Sequence, residues 1–435
     1  MKKKVLKTTF LLLMISGTAK LFSFFIRILI ARILSEEAIH YYSLSMPVLM
    51  FLITLSNFGI PNALTKLVAS KKDAKSSIFA SIILSIVNNL LLCGICMLAI
   101  PLYARIVMKQ NVLIPVLYAC VPMLPVVMAT GLLKGYFTGK QKMVLASSSQ
   151  ITEEIFRILF LLWFYPSFSN NAVSMASFAI FSQTIGEIGS CLHLSIALIF
   201  QHKSQIRSFF TLQLNPHAVQ ELLSLSVPMT AARLIGSLTS FLEPVILVHF
   251  ASKAMQNNYI SLYSQLNTYI LPLITLPGFF SVVISSWVLP AFSEAYEHHL
   301  SRAKHIFFLS TGFCLFLGIS SSILLFQFST EICELLYHKT DMSSLLRLLS
   351  LPFSLYAAQP VLSCILHGAS KSFRAMADTT FGCILRLISL ILFCRNNISY
   401  GAAYALIISS LSTTLLHFHG CFRLFIHRPK TITRP

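Results

Sequence analysis

The chain has 435 residues, of which 56% are hydrophobic and only 11% are charged, and its mean hydropathy is +0.76. A soluble globular domain carries about 25% charged residues, so this composition excludes a water-soluble fold and indicates a surface that faces lipid. The formal net charge of +19 would suggest nucleic acid as a partner of a soluble protein, but here the composition favours a membrane explanation for it.

Apolar stretches recur from end to end, each long enough to cross roughly 30 Å of hydrocarbon as a helix. They are continuously apolar, without the alternation of a membrane β-barrel strand. The sequence therefore predicts an all-α polytopic membrane protein with about 12 transmembrane helices. In chain order the predicted spans lie near 8–31, 44–66, 78–102, 112–137, 144–166, 172–200, 222–250, 258–290, 305–328, 343–367, 377–396 and 400–424.

The first span follows three lysines and resembles a secretory signal. Its apolar run is too long for one and continues into a basic segment ending at Arg27, so we expect an uncleaved helix. Lys and Arg concentrate in every second predicted loop, and the positive-inside rule then places both termini in the cytoplasm of a multi-pass inner-membrane protein. The basic residues that define this pattern are Lys2, Lys3, Lys4, Lys7, Lys71, Lys72, Lys75, Lys140, Lys142, Lys203, Arg207, Arg302, Lys304, Lys371, Arg374, Arg428, Lys430 and Arg434.

The two halves of the chain resemble each other at two constant offsets. Residues 229 positions apart match between spans four and five and spans ten and eleven, and residues 216 apart match between the first two spans and spans seven and eight. The order of the matches is the one that a duplication predicts. The matched pairs include Gly139 with Gly368, Lys142 with Lys371, Arg157 with Arg386, Phe25 with Phe241, Ser45 with Ser261 and Pro61 with Pro277.

An even number of spans per half makes the two repeats parallel, related by an axis along the membrane normal, as in some secondary transporters. We predict two pseudo-symmetric six-helix lobes: an N-terminal lobe at 1–200, a cytoplasmic linker at 201–221 and a C-terminal lobe at 222–435. Proline and glycine interrupt corresponding spans of the two lobes, and broken membrane helices usually face protein or a wet cavity. A ridge of Gly131, Gly135 and Gly139 predicts a close helix contact.

Ionisable residues at membrane depth are costly and usually face a polar interior. Three interpretations of them stay open. Glu153 and Arg157 could form a local helix ion pair. Side chains near span ends could extend to the membrane surface, which suits Arg32, Lys66 and Arg347. The third interpretation is a central cationic cavity for an anionic substrate, because guanidinium groups bind phosphate oxygens in pairs. Its residues are Lys20, Arg27, Arg233, Arg157 and Arg386, with Glu243 as a charge partner or an ion-coupling group.

Several segments resemble the stage V sporulation protein B family, of the multidrug/oligosaccharidyl-lipid/polysaccharide (MOP) flippase superfamily that also contains lipid II flippases. The resemblance lies in an ordered set of motifs that covers both halves. They are Lys20-Leu-Phe-Ser-Phe-Phe-Ile-Arg27, Gly59-Ile-Pro-Asn-Ala-Leu-Thr-Lys66, Gly131-Leu-Leu-Lys134-Gly-Tyr-Phe-Thr-Gly139, Ser226-Val-Pro228, Leu271-Pro-Leu-Ile-Thr-Leu-Pro277, Leu289-Pro-Ala-Phe-Ser-Glu294 and Leu366-His-Gly368.

The resemblance implies two six-helix lobes, alternating access and export of a lipid-linked saccharide or cell-wall precursor such as a peptidoglycan unit, with a role in sporulation. In lipid II flippase relatives, basic residues of the first helix line the cavity, and Lys20 and Arg27 match those positions, with Lys in place of the usual Arg. Many members carry two further C-terminal helices that this chain lacks.

Our hypothesis is that Lys20, Arg27 and Arg233 hold the diphosphate of a polyprenyl-linked saccharide, and that membrane lipids and this anionic lipid are the partners. The alternative within the superfamily is a multidrug efflux antiporter with Glu243 as its proton or sodium site. An enzyme is disfavoured, because the outer loops are short and we find no nucleotide-binding loop. No cofactor or metal is expected either: Cys93 and Cys96 lie in an apolar helix, and His417 and His419 lack nearby ligands in the sequence.

Overall fold

The computed structural model describes residues 2–70, 75–168, 171–202 and 215–426, and all of its regular structure in these ranges is helical. The seventeen α-helices are α1 (Lys2–Ile33), α2 (Glu36–Asn57), α3 (Ile60–Ser70), α4 (Lys75–Leu102), α5 (Leu113–Tyr118), α6 (Met123–Gly139), α7 (Met143–Phe168), α8 (Ala172–His202), α9 (Pro216–Phe250), α10 (Gln256–Gln265), α11 (Leu271–His298), α12 (Leu300–Gln327), α13 (Ser329–Tyr337), α14 (Ser343–Ser350), α15 (Gln359–Gly368), α16 (Ser372–Arg395) and α17 (Gly401–Ile426). Two π-helical turns, Tyr103–Val107 and Leu266–Ile270, and a 3₁₀ segment, Pro352–Ala358, extend α4, α11 and α15.

Each predicted span coincides with one of these helices or with a broken pair of them. By length and composition, ten spans of the described chain could cross a membrane, and the bent pair Ser343–Ser350 with Pro352–Gly368 makes an eleventh. The remaining predicted span is α7, which is 26 residues long but carries Glu153, Glu154 and Arg157. The prediction of an all-α multi-pass membrane protein is confirmed. The orientation of the termini stays a prediction.

The helix ends repeat at the offset of 229 that the sequence shows. The ends of α6 and α15, the starts of α7 and α16, and the starts of α8 and α17 all correspond. Left-handed backbone recurs at the same offset, because Lys109 corresponds to His338 and Gln141 to Ser370, all at φ between 55° and 60°. Such φ values are uncommon outside glycine. Their recurrence at matched positions supports the duplication.

Two compact units divide the chain, Met1–Val248 and His249–Pro435. The first unit therefore includes most of α9, and the lobe limits of 200 and 222 that the sequence suggests stay a prediction. The predicted basic loop residues Lys71, Lys72, Lys203, Arg207, Arg428, Lys430 and Arg434 lie outside the described residues.

The predicted glycine ridge packs tightly on a neighbouring helix of the first unit. A β-carbon on Gly135 would lie 2.6 Å from the Pro61 carbonyl oxygen of α3, and one on Gly139 would lie 2.7 Å from Val68. Only glycine lets α6 approach the backbone of α3 at this distance. The close contact expected from the sequence is confirmed.

The second span breaks between α2 and α3, at two residues in the left-handed conformation, Phe58 and Gly59. A break inside a membrane leaves carbonyl groups without helical partners. Two side chains of α4 supply donors: the Asn88 amide donates to the Leu55 and Ser56 carbonyls at 3.0 Å, and Asn89 donates to Ser56 at 3.1 Å. The break is therefore capped by the following span.

We expect Asn89→Ala to destabilise the protein by about 1–3 kcal/mol, because it removes two buried hydrogen bonds to Ser56, each worth about 0.5–1.5 kcal/mol. The Ser56 hydroxyl donates to Asn89 Oδ1 at 2.7 Å, and the Ser56 carbonyl accepts from Asn89 at 3.1 Å. Thermal unfolding in detergent, followed by size-exclusion chromatography, measures the effect. Asn258→Ala, at an exposed position of α10, is the control, and equal melting of the two variants would contradict the capping role.

Candidate functional site

The first unit contains a polar cavity of about 650 Å³ at membrane depth. The broken second span contributes one wall, and α6, α7, α8 and α9 contribute the others. Its polar or charged lining residues are Asn57, Asn62, Thr65, Thr130, Lys134, Thr138, Gln150, Glu187 and Arg233. We call this the first cavity.

An ion-pair cluster occupies one side of the first cavity. Lys134 Nζ lies 3.3 Å from Glu153 Oε2 and 3.9 Å from Glu187 Oε2. The longer contact is an ion pair without a hydrogen bond. One ammonium group therefore faces two carboxylates, and the cluster neutralises its own lysine.

A second charged contact links α1 to α7. The Ser23 hydroxyl donates a hydrogen bond to the Glu154 carboxylate, and Arg157 and, more weakly, Lys20 attract the charge of that carboxylate. Arg157 Nε in turn donates to Ser182 Oγ at 3.2 Å. The neighbouring carboxylates of α7 thus face different partners: Glu153 contacts Lys134, and Glu154 contacts α1. Glu153, for which an ion pair with Arg157 on the same helix was one interpretation, contacts Lys134 of α6.

Three of the predicted cations of the first unit are exposed, and two of its carboxylates are buried. Lys20 and Arg27 are exposed on α1, and Arg233 is exposed on α9 where it lines the first cavity. Glu187 and Glu243 are buried, with 7% and 3% of their surfaces exposed. Glu153 and Glu154 are partly exposed, so among these membrane-span residues the fully exposed charges are positive.

Arg386 belongs to the second unit, where it lines a cavity of about 420 Å³ together with His417. We call this the second cavity. The sequence did not predict the partner of His417, whose Nδ1 lies 3.1 Å from Asp378 Oδ2. Asp378 lies 39 residues earlier in the chain, and no spacing rule brings the two together. Lys134 was missed for the same reason, since its partners come from two other helices.

Among the residues that the structure describes, no group of three His, Cys, Asp or Glu side chains could hold a metal ion. The first cavity offers charged and hydrogen-bonding side chains between membrane-spanning helices, and such side chains can bind and release a polar solute.

A family model described as a polysaccharide biosynthesis protein matches residues 5–296, so the chain belongs to that family. It is 26% identical to stage V sporulation protein B of Bacillus subtilis over 430 residues, which cover 96% of this chain and 83% of that protein. It is 21% identical to sporulation protein YkvU of the same organism over 367 residues, or 80% and 79% of the two chains. The predicted membership of the stage V sporulation protein B-like group is confirmed.

Solved structures with the same fold are transporters of the MOP superfamily. An inward-facing multidrug resistance transporter of the MATE family superimposes with a TM-score of 0.73 at 14% identity, over 96% of this chain and 98% of that one. A MOP superfamily transporter from Pyrococcus furiosus, for which a reversed polarity of the binding pocket suggests a different function, gives a TM-score of 0.69 at 14% identity, over 97% and 96% of the chains. These likenesses establish the fold.

Proposed function

We propose that this protein is a flippase that moves a polyprenyl-diphosphate saccharide across the cytoplasmic membrane by alternating access. The observation that carries the proposal is that Lys20, Arg27 and Arg233 are exposed, whereas Glu187 and Glu243 are buried. An exposed guanidinium or ammonium group at membrane depth needs a polar or anionic partner. A diphosphate supplies two charged centres with oxygens in the spacing that guanidinium groups bind best.

Lys20 and Arg27 lie seven residues apart on α1 and therefore project from one face of it. In our proposal they bind the diphosphate together with Arg233 of the first cavity. Arg157 and Arg386 stay predictions as further cations of this site. Family membership favours a saccharide as the group attached to the phosphates, and the names of the Bacillus relatives favour a cell-wall precursor used in sporulation.

The direct test is binding of the purified protein to polyprenyl-diphosphate saccharide, with polyprenyl monophosphate and a cationic dye as competitors. We expect preference for the diphosphate. Loss of one charge-assisted hydrogen bond costs about 1.5–3 kcal/mol, so Arg27→Ala should weaken diphosphate binding about 10- to 100-fold. Arg32→Ala, on the same helix near its end, is the matched control and should bind like the wild type. Equal binding by the wild type and Arg27→Ala would refute the assignment.

A multidrug efflux antiporter is the second candidate, and Glu243 is the observation that favours it. Glu243 belongs to α9, and only 3% of its surface is exposed. A carboxylate that binds a proton or a sodium ion away from bulk water would be buried in this way. For the Pyrococcus furiosus transporter of this fold, a reversed polarity of the binding pocket suggests a different function. In this chain the exposed cations Lys20, Arg27 and Arg233 argue for an anionic substrate. Dye binding that ignores Arg27→Ala but is lost in Glu243→Gln would favour the antiporter.

A further inference from the structure

The wall of the first cavity contains two buried oxygen atoms that accept no hydrogen bond from the described residues. They are Glu187 Oε2 of α8 and Asn57 Oδ1 at the end of α2, and both residues line the cavity. The Lys134 ammonium lies 3.9 Å from Glu187 Oε2, which is too far for a hydrogen bond. Buried polar atoms almost always have a partner. The wall therefore lacks donors at these two places, and a ligand or water has to supply them.

Helix packing holds the Asn57 amide in the orientation that leaves its oxygen without a donor. The amide nitrogen donates to the Ile53 carbonyl of its own helix at 3.2 Å. The oxygen faces α6, where a β-carbon on Gly131 would lie 2.7 Å from it. Glycine at this position makes room for the oxygen in the cavity wall, so the unsatisfied acceptor belongs to the architecture of the site.

Two threonines of the wall add further acceptors. The Thr65 hydroxyl donates to the Pro61 carbonyl at 2.9 Å, and the Thr130 hydroxyl donates to the Val126 carbonyl at 3.0 Å. A hydroxyl group has one proton and two acceptor lone pairs. Because the backbone takes the proton in each case, these hydroxyl groups offer acceptors to a ligand.

The charges around the first cavity balance. Lys134 and Arg233 are the cations of its lining, Glu187 is the carboxylate, and Glu153 lies 3.3 Å from Lys134. Two positive groups therefore meet two negative ones. An anion would be repelled by the carboxylates, and a cation by the ammonium and guanidinium groups. A neutral ligand that both donates and accepts hydrogen bonds matches this wall best.

From these observations we propose that the first cavity binds the sugar ring that is bonded directly to the diphosphate. The hydroxyl groups of a sugar donate to acceptors such as Glu187 and Asn57, and its oxygens accept from Lys134 and from the Gln150 amide. The cavity volume of about 650 Å³ lies within the range of about 300–1,000 Å³ of small-molecule sites. Arg233 belongs both to this cavity and to the proposed diphosphate site, so the inference rests on the proposed function and extends it.

Such a site would distinguish a carrier lipid loaded with sugar from an empty one. A site built to hydrogen-bond the hydroxyl groups of its substrate rejects an analogue that lacks them, because its own buried polar groups then stay unpaired. Bare polyprenyl diphosphate would leave the Glu187 and Asn57 oxygens without donors. The cations bind the diphosphate of either lipid, and the first cavity adds affinity for the sugar alone.

The test compares the equilibrium binding of two lipids to the purified full-length protein in detergent: polyprenyl diphosphate, and polyprenyl diphosphate that carries one N-acetylglucosamine. We expect the sugar to raise the affinity of the wild type at least about 10-fold, as one hydrogen bond to a charged group does. Glu187→Gln should lose most of this gain and still bind the bare diphosphate. Glu154→Gln changes a carboxylate of the same unit outside the cavity lining and should keep the gain. An equal loss of the gain in both variants would overturn the proposal.

A second pair of variants does not depend on how Glu187→Gln folds. Gln150 is an exposed residue of α7 that lines the cavity. Gln150→Ala removes one neutral hydrogen bond and should reduce the gain from the sugar about 2- to 10-fold. Gln220→Ala, at an exposed position of α9 outside the cavity lining, should leave the gain unchanged. Identical gains in these two variants would count against the site.

The two lipids also separate this inference from the proposed function. If the wild type bound the bare diphosphate through Arg27 and the sugar added no affinity, the sugar site would be refuted and the diphosphate site would stand. If the wild type bound neither lipid, both proposals would fail.

Discussion

Replacing Lys134 with methionine is expected to lower the stability of the protein sharply. The ammonium group is the shared partner of Glu153 and Glu187, at 3.3 and 3.9 Å, and its removal leaves two carboxylates side by side at membrane depth. Removing one partner of a buried ion pair costs about 3–5 kcal/mol. The Lys134 side chain keeps 25% of its surface exposed to the cavity, so we expect about 2–4 kcal/mol.

Thermal unfolding in detergent provides the measurement. Lys140→Met removes an exposed lysine just after α6 and should melt close to the wild type. Adding Glu187→Gln to Lys134→Met removes one of the two uncompensated carboxylates and should restore a large part of the lost stability. If Lys134→Met melted like Lys140→Met, the cluster would have no structural role.

The second large effect is expected for Gly59→Ala at the break of the second span. Gly59 has φ +64°, and an added β-carbon would lie 2.5 Å from the Ser226 carbonyl oxygen and 2.9 Å from Thr230 Oγ1 of α9. A left-handed conformation costs a residue with a β-carbon about 1–2 kcal/mol. Overpacking adds about 1–3 kcal/mol, so we expect a loss of about 2–5 kcal/mol in total.

Gly236→Ala on α9 is the matched control, because a β-carbon there would meet nothing within 4 Å. Alanine is the better helix former by about 1 kcal/mol, so this control should keep or raise the melting temperature. If the two variants melted alike, the approach of α9 to the break would not be the constraint that selects glycine at position 59.

The sequence predicts most of this fold because the membrane simplifies the problem. The length of the apolar stretches locates the helices. The exception among the predicted spans is α7, which carries three charged residues, Glu153, Glu154 and Arg157, and so is too polar to be recognised as a membrane span by composition. The repeat predicts which helices correspond, and the left-handed residues at Lys109 and His338 agree with it.

Side-chain partners are harder to predict from the sequence. Helical periodicity tells which residues of one helix share a face, but not which neighbour that face contacts. Glu153 and Glu154 are adjacent in sequence, yet Glu153 contacts Lys134 of α6 and Glu154 contacts Ser23 of α1. His417 shows the same limit, because Asp378 comes from another helix. A polar residue in an apolar span indicates that a partner exists without identifying it.

The capped break between α2 and α3 has a consequence for how the chain enters the bilayer. The ribosome completes α2 before it makes α4, which carries the capping residues Asn88 and Asn89. A lone second span would expose free carbonyls to lipid, at a cost of several kcal/mol for each group. We therefore expect the second and third spans to leave the translocation channel together as a helical hairpin, so that the break is covered before it meets lipid.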